Sequence, residues 1–186
     1  MKFSIKREEL ISILSEYTNI LKENPIKPIV SGLQIKAESN LITFVGTNLE
    51  VDHIRKVEAD VKEEGSLVLK PFLLLEYIKL LDEEYIEFIL NNGFITVHHA
   101  EFSILEEGTF PIITETTPIK LLSINGGEFV KLLEKSKFAA SLTSDNIQIN
   151  CVRAIFKLNE INLVSTDSYR LLYLKNEKNC HVEKEI

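Results

Sequence analysis

Four histidines, two cysteines and several acidic runs are the residues in this sequence whose types could support catalysis or metal binding. The histidines are His53, His98, His99 and His181. None stands at a zinc-like spacing from a cysteine or a carboxylate, and neighbours on a strand such as His98 and His99 are expected to point to opposite faces. Cys151 and Cys180 form neither a CxxC pair nor a disulfide framework, which favours a reducing cytoplasm. The sequence predicts no metal site and no cofactor.

The sequence also lacks the motifs of phosphate-binding loops, and no motif identifies a catalytic nucleophile. It contains neither GxxxxGK[ST] nor GxGxxG. The acidic run Asp82-Glu83-Glu84 has the pattern of a helix end and turn rather than of paired catalytic acids. A Ser–His–Asp arrangement cannot be recognised from sequence, so a small hydrolase stays open as the third function class. No motif in the sequence marks a catalytic site.

The composition is that of an ordinary globular protein. Of the 186 residues, 45% are hydrophobic and 26% are charged, enough to bury at least one core. The formal net charge of −7 argues against a protein that grips nucleic acid over its whole surface, but it permits a local basic face. The sequence has no apolar run of about 18 residues, and its start, MKFSIKREEL, lacks the apolar core of a signal peptide. We therefore expect a cytoplasmic protein without a membrane span.

The elements that would position a site follow a recurring order of strand, amphipathic helix and further strands. Apolar residues at helical spacing predict helices over residues 8–23, from Pro71 to about Leu81, and over residues 127–140. Strand patterns follow each helix. They span Ile29–Ala37, Leu41–Gly46, Val51–Val57, Tyr85–Leu90, Phe94–His98, Phe102–Leu105, Ile147–Leu158, Glu160–Ser165 and Arg170–Lys175. Asn91-Asn92-Gly93 and Asn159 are predicted at hairpin turns.

The first and third segments repeat each other without a gap. Thr47-Asn48-Leu49 falls on Thr166-Asp167-Ser168 at a fixed offset of 119 residues, the distance from Thr47 to Thr166. Leu14 falls on Leu133 at the same offset. This register indicates a repeated strand–helix–three-strand unit. One such unit is too small to bury its own apolar face, so two units are expected to form one domain.

The number of repeat units in each part of the chain predicts the domain boundaries. Residues 1–118 hold two units and form a complete domain, with residues 106–118 as a linker rich in proline and threonine. Residues 119–186 hold one unit, the first half of a second domain. The predicted fold class is α+β, with paired sheets outside and two helices on one side.

Several segments, in order along the whole chain, match those of a known family. They are MKFSIKREEL, Asn24-Pro25-Ile26-Lys27-Pro28-Ile29, Gly46-Thr47-Asn48-Leu49-Glu50, Phe102-Ser103-Ile104 and Thr166-Asp167-Ser168-Tyr169-Arg170-Leu171. They resemble bacterial DNA polymerase III beta subunits, the sliding clamps. The resemblance implies the clamp fold, with three similar domains per subunit and two subunits closed head to tail around duplex DNA. This chain would cover the N-terminal half of such a subunit.

The resemblance implies a processivity factor that tethers the replicative polymerase without catalysis. Its partners would be double-stranded DNA, bound without sequence preference, and the polymerase, clamp loader and repair proteins, bound through short peptides. Basic residues facing the hole would contact phosphates. The candidate DNA-contacting residues are Arg7, Lys22, Asn24, Lys27, Lys131 and Lys135. Asn24 departs from the family, which often has arginine there, and ordinary solvated charges are the alternative for each lysine.

In the family, the segment around Thr166 lines part of the pocket that receives partner peptides. The corresponding candidates are Ile149, Thr166, Ser168, Tyr169, Arg170 and Leu171. Ser168-Tyr169 stands where glycine-histidine is usual, so the shape of the pocket is expected to differ. The alternative is that the segment is only a turn, because Thr47-Asn48-Leu49-Glu50 repeats it.

The second helix is apolar nearly all round, which is typical of a helix buried on more than one side. In the family this half of the domain faces the partner subunit. The candidate subunit-interface residues are Leu74, Tyr77, Ile78, Phe102 and Ile104, the last two on an expected edge strand. A well-buried core helix is the alternative.

The competing function is a stand-alone protein–protein interaction module built from the same repeats, without ring or DNA.

Overall fold

Residues 1–91, 93–105, 108, 110–113, 122–157, 160–176 and 181–182 are described by a computed structural model. The chain divides into two units, Met1–Thr114 and Glu115–Ile186. The predicted linker, residues 106–118, lies largely outside the described residues, as do Asn92 and Asn159 of the predicted hairpin turns. Within the described residues no helix is long and apolar enough to cross a membrane.

The first unit contains two repeats of strand, helix and strands. Its elements are β1 (Lys2–Lys6), α1 (Arg7–Thr18), β2 (Leu33–Glu38), β3 (Leu41–Thr47), β4 (Asp52–Glu58), β5 (Asp60–Glu63), β6 (Gly65–Leu69), α2 (Pro71–Lys79), β7 (Tyr85–Asn91), β8 (Phe94–Val97) and β9 (Ala100–Leu105). Pro71 is the first residue of α2. A backbone N–H at this position would have no partner within the helix, so proline costs no hydrogen bond there.

The two repeats exchange strands with each other. β1, the strand before α1, pairs with β7, the first strand after α2, and Ile5 lies opposite Ile86. β6, the strand before α2, pairs with β2, the first strand after α1, and Leu69 lies opposite Leu33. These antiparallel pairs belong to one nine-stranded sheet of order β4-β3-β2-β6-β9-β8-β7-β1-β5. Neither repeat therefore completes its backbone hydrogen bonds without the other.

One core lies between this sheet and the two helices. α1 contributes Leu10, Ile13, Leu14 and Tyr17, and α2 contributes Leu74, Leu75 and Ile78, all buried. The rings of Phe3 and Phe88, on the exchanged strands β1 and β7, stack with centroids 4.6 Å apart. On β9, Phe102 and Ile104 pack against this core and are partly buried. The predicted domain with helices on one side and sheet on the other is confirmed.

The second unit repeats the first half of the first unit. Its elements are β10 (Leu122–Ser123), α3 (Gly126–Lys137), β11 (Arg153–Lys157), β12 (Glu160–Thr166), β13 (Leu171–Asn176) and β14 (His181–Val182). α3 starts and ends 119 residues after α1, and β12 starts and ends 119 residues after β3. β11, β12 and β13 form a three-stranded antiparallel sheet. The predicted repeat is confirmed at the level of element boundaries.

Sequence patterns missed three features, each of them twice. The predicted strands Ile29–Ala37 and Ile147–Leu158 both begin in a short 3-10 turn, Pro28–Ser31 and Ile147–Ile149, and become strands at Leu33 and Arg153. Helix α1 ends at Thr18 instead of residue 23, and α3 ends at Lys137 instead of residue 140. The first and third repeats also have a further strand each, since β5 pairs with β1 and β14 pairs with β10.

Tyr17 and Gly46 pack against each other in the first repeat. The equivalent residues of the third repeat are Ser136 and Ser165. The Tyr17 hydroxyl donates to the Phe44 carbonyl oxygen at 2.8 Å, and burial raises the pKa of this hydroxyl above its ordinary range. Its ring lies against Gly46, where an added Cβ would come within 2.6 Å of Tyr17 Cδ1. At the equivalent positions, the Ser165 hydroxyl donates to the Ser136 carbonyl oxygen.

Replacing Gly46 with alanine should lower the free energy of unfolding of the first unit by about 2 kcal/mol, because the added methyl group overpacks the Tyr17 ring. Urea denaturation followed by circular dichroism measures the loss. The control is Gly126→Ala at the first residue of α3, where an added Cβ meets no atom within 4 Å. It should be neutral or mildly stabilising, and an equal loss in both variants would contradict the packing argument.

Candidate functional site

The segment after β12 is a hydrogen-bonded turn built by its own side chains. Thr166 Oγ1 accepts from the Ser168 N–H at 3.1 Å and donates to the Arg170 carbonyl oxygen at 2.7 Å. Asp167 Oδ1 accepts from the backbone N–H groups of Tyr169 at 3.0 Å and Arg170 at 2.9 Å. Ser168 adopts φ of 77° to close the turn. The side chains of Tyr169 and Arg170 are thereby held on a fixed backbone.

The first repeat contains the same pattern of side-chain hydrogen bonds to backbone N–H groups. Thr47 Oγ1 accepts from the Leu49 N–H at 3.0 Å, and Leu49 has φ of 74°. Asn48 Oδ1 accepts from the N–H groups of Glu50 at 3.0 Å and Val51 at 2.7 Å. The turn is therefore a structural feature of the repeat. Any function specific to the second unit must come from the residues around it.

Beside the turn of the second unit is a cavity of about 640 Å³. It is lined by Lys137, Phe138, Ala140, Ser141, Leu142, Asp167, Tyr169 and Arg170. Three of these residues are large, apolar or aromatic, and exposed to solvent: Phe138 by 66%, Leu142 by 93% and Tyr169 by 98%. Exposed apolar side chains gathered around a concavity are typical of a protein-binding surface.

Three of the positions that are apolar or aromatic at this cavity are polar in the first repeat, although Leu49 and Val51 of its own turn are exposed apolar residues. At the offset of 119 residues, Asn19 stands in place of Phe138, Glu23 in place of Leu142, and Glu50 in place of Tyr169. At these three positions only the second unit places large apolar or aromatic groups in solvent. The contrast favours a binding function for the second unit over the interpretation as a turn alone.

Arg170 is fixed in place by two neighbours. Its Nε donates to Asp167 Oδ2 at 2.8 Å, and its guanidinium carbon lies 4.4 Å from the ring centroid of Phe138. The hydrogen bond from the Arg170 backbone N–H is the largest of several interactions that lower the pKa of the Asp167 carboxyl. Because the ionised Asp167 compensates the charge of Arg170, Lys137 supplies the net positive charge among the residues that line the cavity.

The predicted pocket residues divide into three groups. Tyr169 and Arg170 line the cavity, whereas Thr166 and Ser168 build the turn. Ile149 and Leu171 do not line it, although the Ile149 carbonyl oxygen accepts from the N–H of Ser141, which does. Sequence reasoning missed six lining residues: Lys137, Phe138, Ala140, Ser141, Leu142 and Asp167. For Phe138 and Leu142 a signal was available, since they replace the polar residues Asn19 and Glu23 of the first repeat.

Arg7 has a role inside the first unit. Its Nε donates to the Ile78 carbonyl oxygen at 3.0 Å and its Nη2 to the Lys79 carbonyl oxygen at 2.9 Å. These carbonyl groups end α2, where a cation also interacts favourably with the helix dipole. Arg7 thus joins the two helices, and a DNA contact by this residue stays a prediction.

The loop after α1 is ordered by Asn24. Its Oδ1 accepts from the N–H groups of Ile26 at 3.0 Å and Lys27 at 2.9 Å, and its own N–H donates to Ser31 Oγ at 2.8 Å. Lys22 and Lys27 are exposed on this loop. Asn24 therefore shapes the loop, while the two lysines carry its positive charge.

The helices differ in charge between repeats. α3 has three lysines against two glutamates, with Lys131 and Lys135 one turn apart. α1 has three glutamates against one arginine, Arg7. Ser12 and Glu16 occupy the positions equivalent to Lys131 and Lys135. Among the described helices, α3 is the one whose surface best suits contact with phosphates.

The predicted subunit-interface residues include two that are unsuitable. Leu74 and Ile78 are fully buried in the core of the first unit, so the alternative of a core position is correct for them. β9 is also not a simple edge strand, because Ile104 pairs with Leu69 of β6. Tyr77 and Phe102 are half-buried, with ring centroids 5.6 Å apart, and they stay predictions together with Ile104. The α2 helix and its C-terminal end expose the apolar residues Phe72, Leu73 and Leu80.

The histidines form no metal site within the described residues. His53 Nε2 lies 2.9 Å from Glu16 Oε2, and His98 Nε2 lies 2.7 Å from Glu83 Oε1. The expectation that His98 and His99 point to opposite faces is wrong, since their ring centroids are 4.2 Å apart. These residues lie in the turn between β8 and β9, where His98 has φ of 55°.

Replacing Arg170 with alanine should raise the pKa of Asp167 only part of the way to its ordinary value. The backbone N–H of residue 170, which lowers this pKa most, remains in the variant. Because the folded-state pKa is lowered, the stabilisation of the turn is present above the unfolded pKa and is lost as pH falls through the folded value. NMR titration of the carboxyl group measures the folded-state pKa in both proteins.

Asp167→Asn is the matched variant, since Asn48 maintains the same turn in the first repeat. It should preserve the turn at low pH, seen as unchanged amide shifts of residues 168–170. A wild-type carboxyl that titrates at or above its ordinary pKa would contradict this description of the turn.

Solved structures of sliding clamps share this fold. The sliding clamp of Bacillus subtilis aligns with a TM-score of 0.88 and 20% identity, over 100% of this chain and 52% of that one. The Helicobacter pylori beta clamp bound to a DNA ligase peptide aligns with a TM-score of 0.82 and 18% identity, over 100% of this chain and 55% of that one. At these sequence identities, the structural similarity shows a shared fold and nothing more.

Curated relatives and a family model identify the lineage. The chain is 26% identical to the beta sliding clamp of Micrococcus luteus, over 92% of this chain and 56% of the relative. It is 24% identical to that of Staphylococcus epidermidis, over 94% of this chain and 50% of the relative. The chain thus spans about half the length of these relatives. The model for the N-terminal domain of the DNA polymerase III beta subunit matches residues 1–114, more than half of the sequence, and the chain therefore belongs to that family.

Proposed function

We propose that this chain is the N-terminal part of a sliding clamp, a non-catalytic scaffold that tethers a replicative polymerase to DNA in the cytoplasm. Membership of the beta-subunit family supports the proposal, as do relatives named beta sliding clamps. Because the chain spans about half of those relatives, the head-to-tail ring dimer around duplex DNA belongs to the longer subunit. The proposed chemistry is binding alone and uses no cofactor.

The cavity beside the Thr166 turn is the observation that carries the proposal. The Helicobacter pylori clamp has been solved with a DNA ligase peptide. We assign the corresponding role, capture of a short peptide from a polymerase, clamp loader or repair protein, to the cavity of the second unit. Phe138, Leu142 and Tyr169 supply exposed apolar surface for an anchor residue, and Lys137 supplies positive charge beside it. These residue types suit a peptide with aliphatic or aromatic side chains.

Contact with DNA is proposed for α3 and for the loop after α1. The supporting residues are Lys131 and Lys135 on α3, and Lys22 and Lys27 on the loop. Lysines that meet phosphates give salt-dependent binding without sequence preference, which suits a protein that slides.

A protein–protein interaction module without DNA is the second candidate, and one observation favours it. α1 carries three glutamates, and α2 with its C-terminal end exposes Phe72, Leu73 and Leu80. Such a surface suits a protein partner better than a polyanion. Binding of peptide without any salt-dependent affinity for DNA would favour this candidate.

The Helicobacter pylori DNA ligase peptide, added to the 15N-labelled chain, should shift the amide resonances of residues 137–142 and 167–170. Phe138→Ala and Tyr169→Ala should each weaken binding by about tenfold, because each removes apolar contact area worth about 1.4 kcal/mol. The matched control is Tyr173→Ala on β13, a half-exposed tyrosine that does not line the cavity. Peptide-induced shifts confined to other residues, or equal effects of all three substitutions, would refute the peptide site.

Reversing the charge of Lys131 and Lys135 to glutamate should reduce the affinity of the chain for a short duplex at low salt. The slope of log affinity against log salt should also become shallower, by about 0.9 for each phosphate that the variant no longer neutralises. Fluorescence anisotropy measures both quantities. The control is Lys36→Glu with Lys56→Glu on the sheet, which changes the net charge equally. An equal decrease of affinity in the control would assign the effect to net charge instead of to α3.

A further inference from the structure

The loop between α1 and β2 has a backbone that is fixed by its own hydrogen bonds. The backbone N–H of Asn24 donates to Oγ of the buried Ser31 at 2.8 Å. Asn24 Oδ1 in turn accepts from the N–H groups of Ile26 at 3.0 Å and Lys27 at 2.9 Å. A proline on either side of these two residues also restricts φ. The tip of the loop is therefore held in one conformation.

This tip places an apolar side chain in solvent. Ile26 is 93% exposed, although Asn24 holds its backbone. At the offset of 119 residues its equivalent is Asp145. Both loops continue into a 3-10 turn that begins at equivalent residues, Pro28–Ser31 and Ile147–Ile149. The fold of the repeat thus does not require isoleucine at the tip.

Positive charge flanks Ile26 in the sequence. Lys22 and Lys27 are exposed, and neither forms a salt bridge with a described residue. The acidic residue of the loop, Glu23, is paired with Lys70 at 2.8 Å. The loop therefore combines one apolar side chain with two uncompensated cations. Such a combination suits a polyanion that also has an apolar surface.

DNA is a polyanion of this kind, since the faces of its bases are apolar. In a continuous duplex the faces of neighbouring bases cover each other, and inserting a side chain such as isoleucine costs the energy of unstacking them. Where a base is missing, the faces of its neighbours are accessible at a lower cost. A fixed apolar side chain between phosphate-binding lysines should therefore distinguish an interrupted base stack from a continuous one.

We propose that Ile26 contacts base faces at interruptions of the DNA stack, while Lys22 and Lys27 bind nearby phosphates. This inference rests on the proposed contact of the loop with DNA and adds a preference to it. The loop binds a duplex with a gap in its stack more tightly than a continuous duplex. Lysines alone would bind both duplexes equally, because their contacts are with phosphates.

Two short duplexes of one sequence test the preference, one continuous and one with a single abasic residue at its centre. Both have the same number of phosphates, so a difference in affinity reports contact with the bases. Fluorescence anisotropy at low salt should show at least about threefold tighter binding of the abasic duplex, because part of an apolar side chain leaves water. Equal affinity would overturn the proposal and leave the phosphate contacts in place. No affinity for either duplex would overturn both.

Substitutions assign the preference to the loop tip. Ile26→Ser should abolish it without changing the slope of log affinity against log salt, because no charge is removed. A polar residue is compatible with the fold there, since Asp145 is the equivalent residue, and circular dichroism checks this. The matched control is Leu80→Ser at the end of α2, which removes a side chain that is 81% exposed and should keep the preference. If Ile26→Ser keeps the preference, or Leu80→Ser also loses it, the proposal is wrong.

Methyl NMR locates the contact directly. In a chain labelled with 13C at the isoleucine δ1 methyl groups, the Ile26 signal is assigned by its absence from Ile26→Ser. The abasic duplex should shift this signal more than the continuous duplex does. The signal of Ile112, a side chain outside the loop that is 95% exposed, is the internal control and should not move. An Ile26 signal that neither duplex shifts would overturn the proposal.

Discussion

Backbone hydrogen bonding between neighbouring repeats is the constraint on which this protein is built. In the first and third repeats, the strand before the helix has one partner in its own repeat, the short strand at that repeat's end, β5 for β1 and β14 for β10. In the first unit each repeat supplies the other with a longer partner, since β1 forms five residue pairs with β7 and β6 forms five with β2. Each hydrogen bond contributes only about 1 kcal/mol net, but burying the same groups unpaired would cost more. The exchange also covers the apolar faces of α1 and α2, so hydrogen bonding and the hydrophobic core depend on the same pairing.

On this scaffold, functional differences come from side chains that the fold does not require. The turns at Thr47 and Thr166 share their side-chain hydrogen bonds to backbone N–H groups and their left-handed residue, so neither backbone is specialised. Around the second turn, however, Phe138 and Leu142 replace Asn19 and Glu23, and an acidic helix surface becomes a basic one in α3. The proposed peptide site and the proposed phosphate contacts of α3 therefore rest on side chains and need no change in the framework of the repeat.

Repetition made much of the fold predictable from sequence. Helix and strand patterns recur at the same offset, so two weak patterns supported one another. In the structure, α1 and α3 begin and end at equivalent residues. The 3-10 turns at Pro28 and Ile147 were missed because apolar residues in a tight turn have the same pattern as the start of a strand. The burial of Leu74 and Ile78 was not predictable either, because an all-apolar helix does not reveal which side faces its own core. For the pocket, Tyr169 and Arg170 were found by resemblance, whereas Phe138 and Leu142 lie some thirty residues earlier in the sequence and meet them only after folding.

Hydrogen exchange of the intact chain tests the dependence on repeat pairing most directly. We expect slow exchange for the amides of β1 and β2, because the second repeat pairs with both strands. Amides of β10 and β11 should exchange faster, because within the described residues no second repeat pairs with them. Equal protection of β1, β2, β10 and β11 would contradict the dependence on repeat pairing.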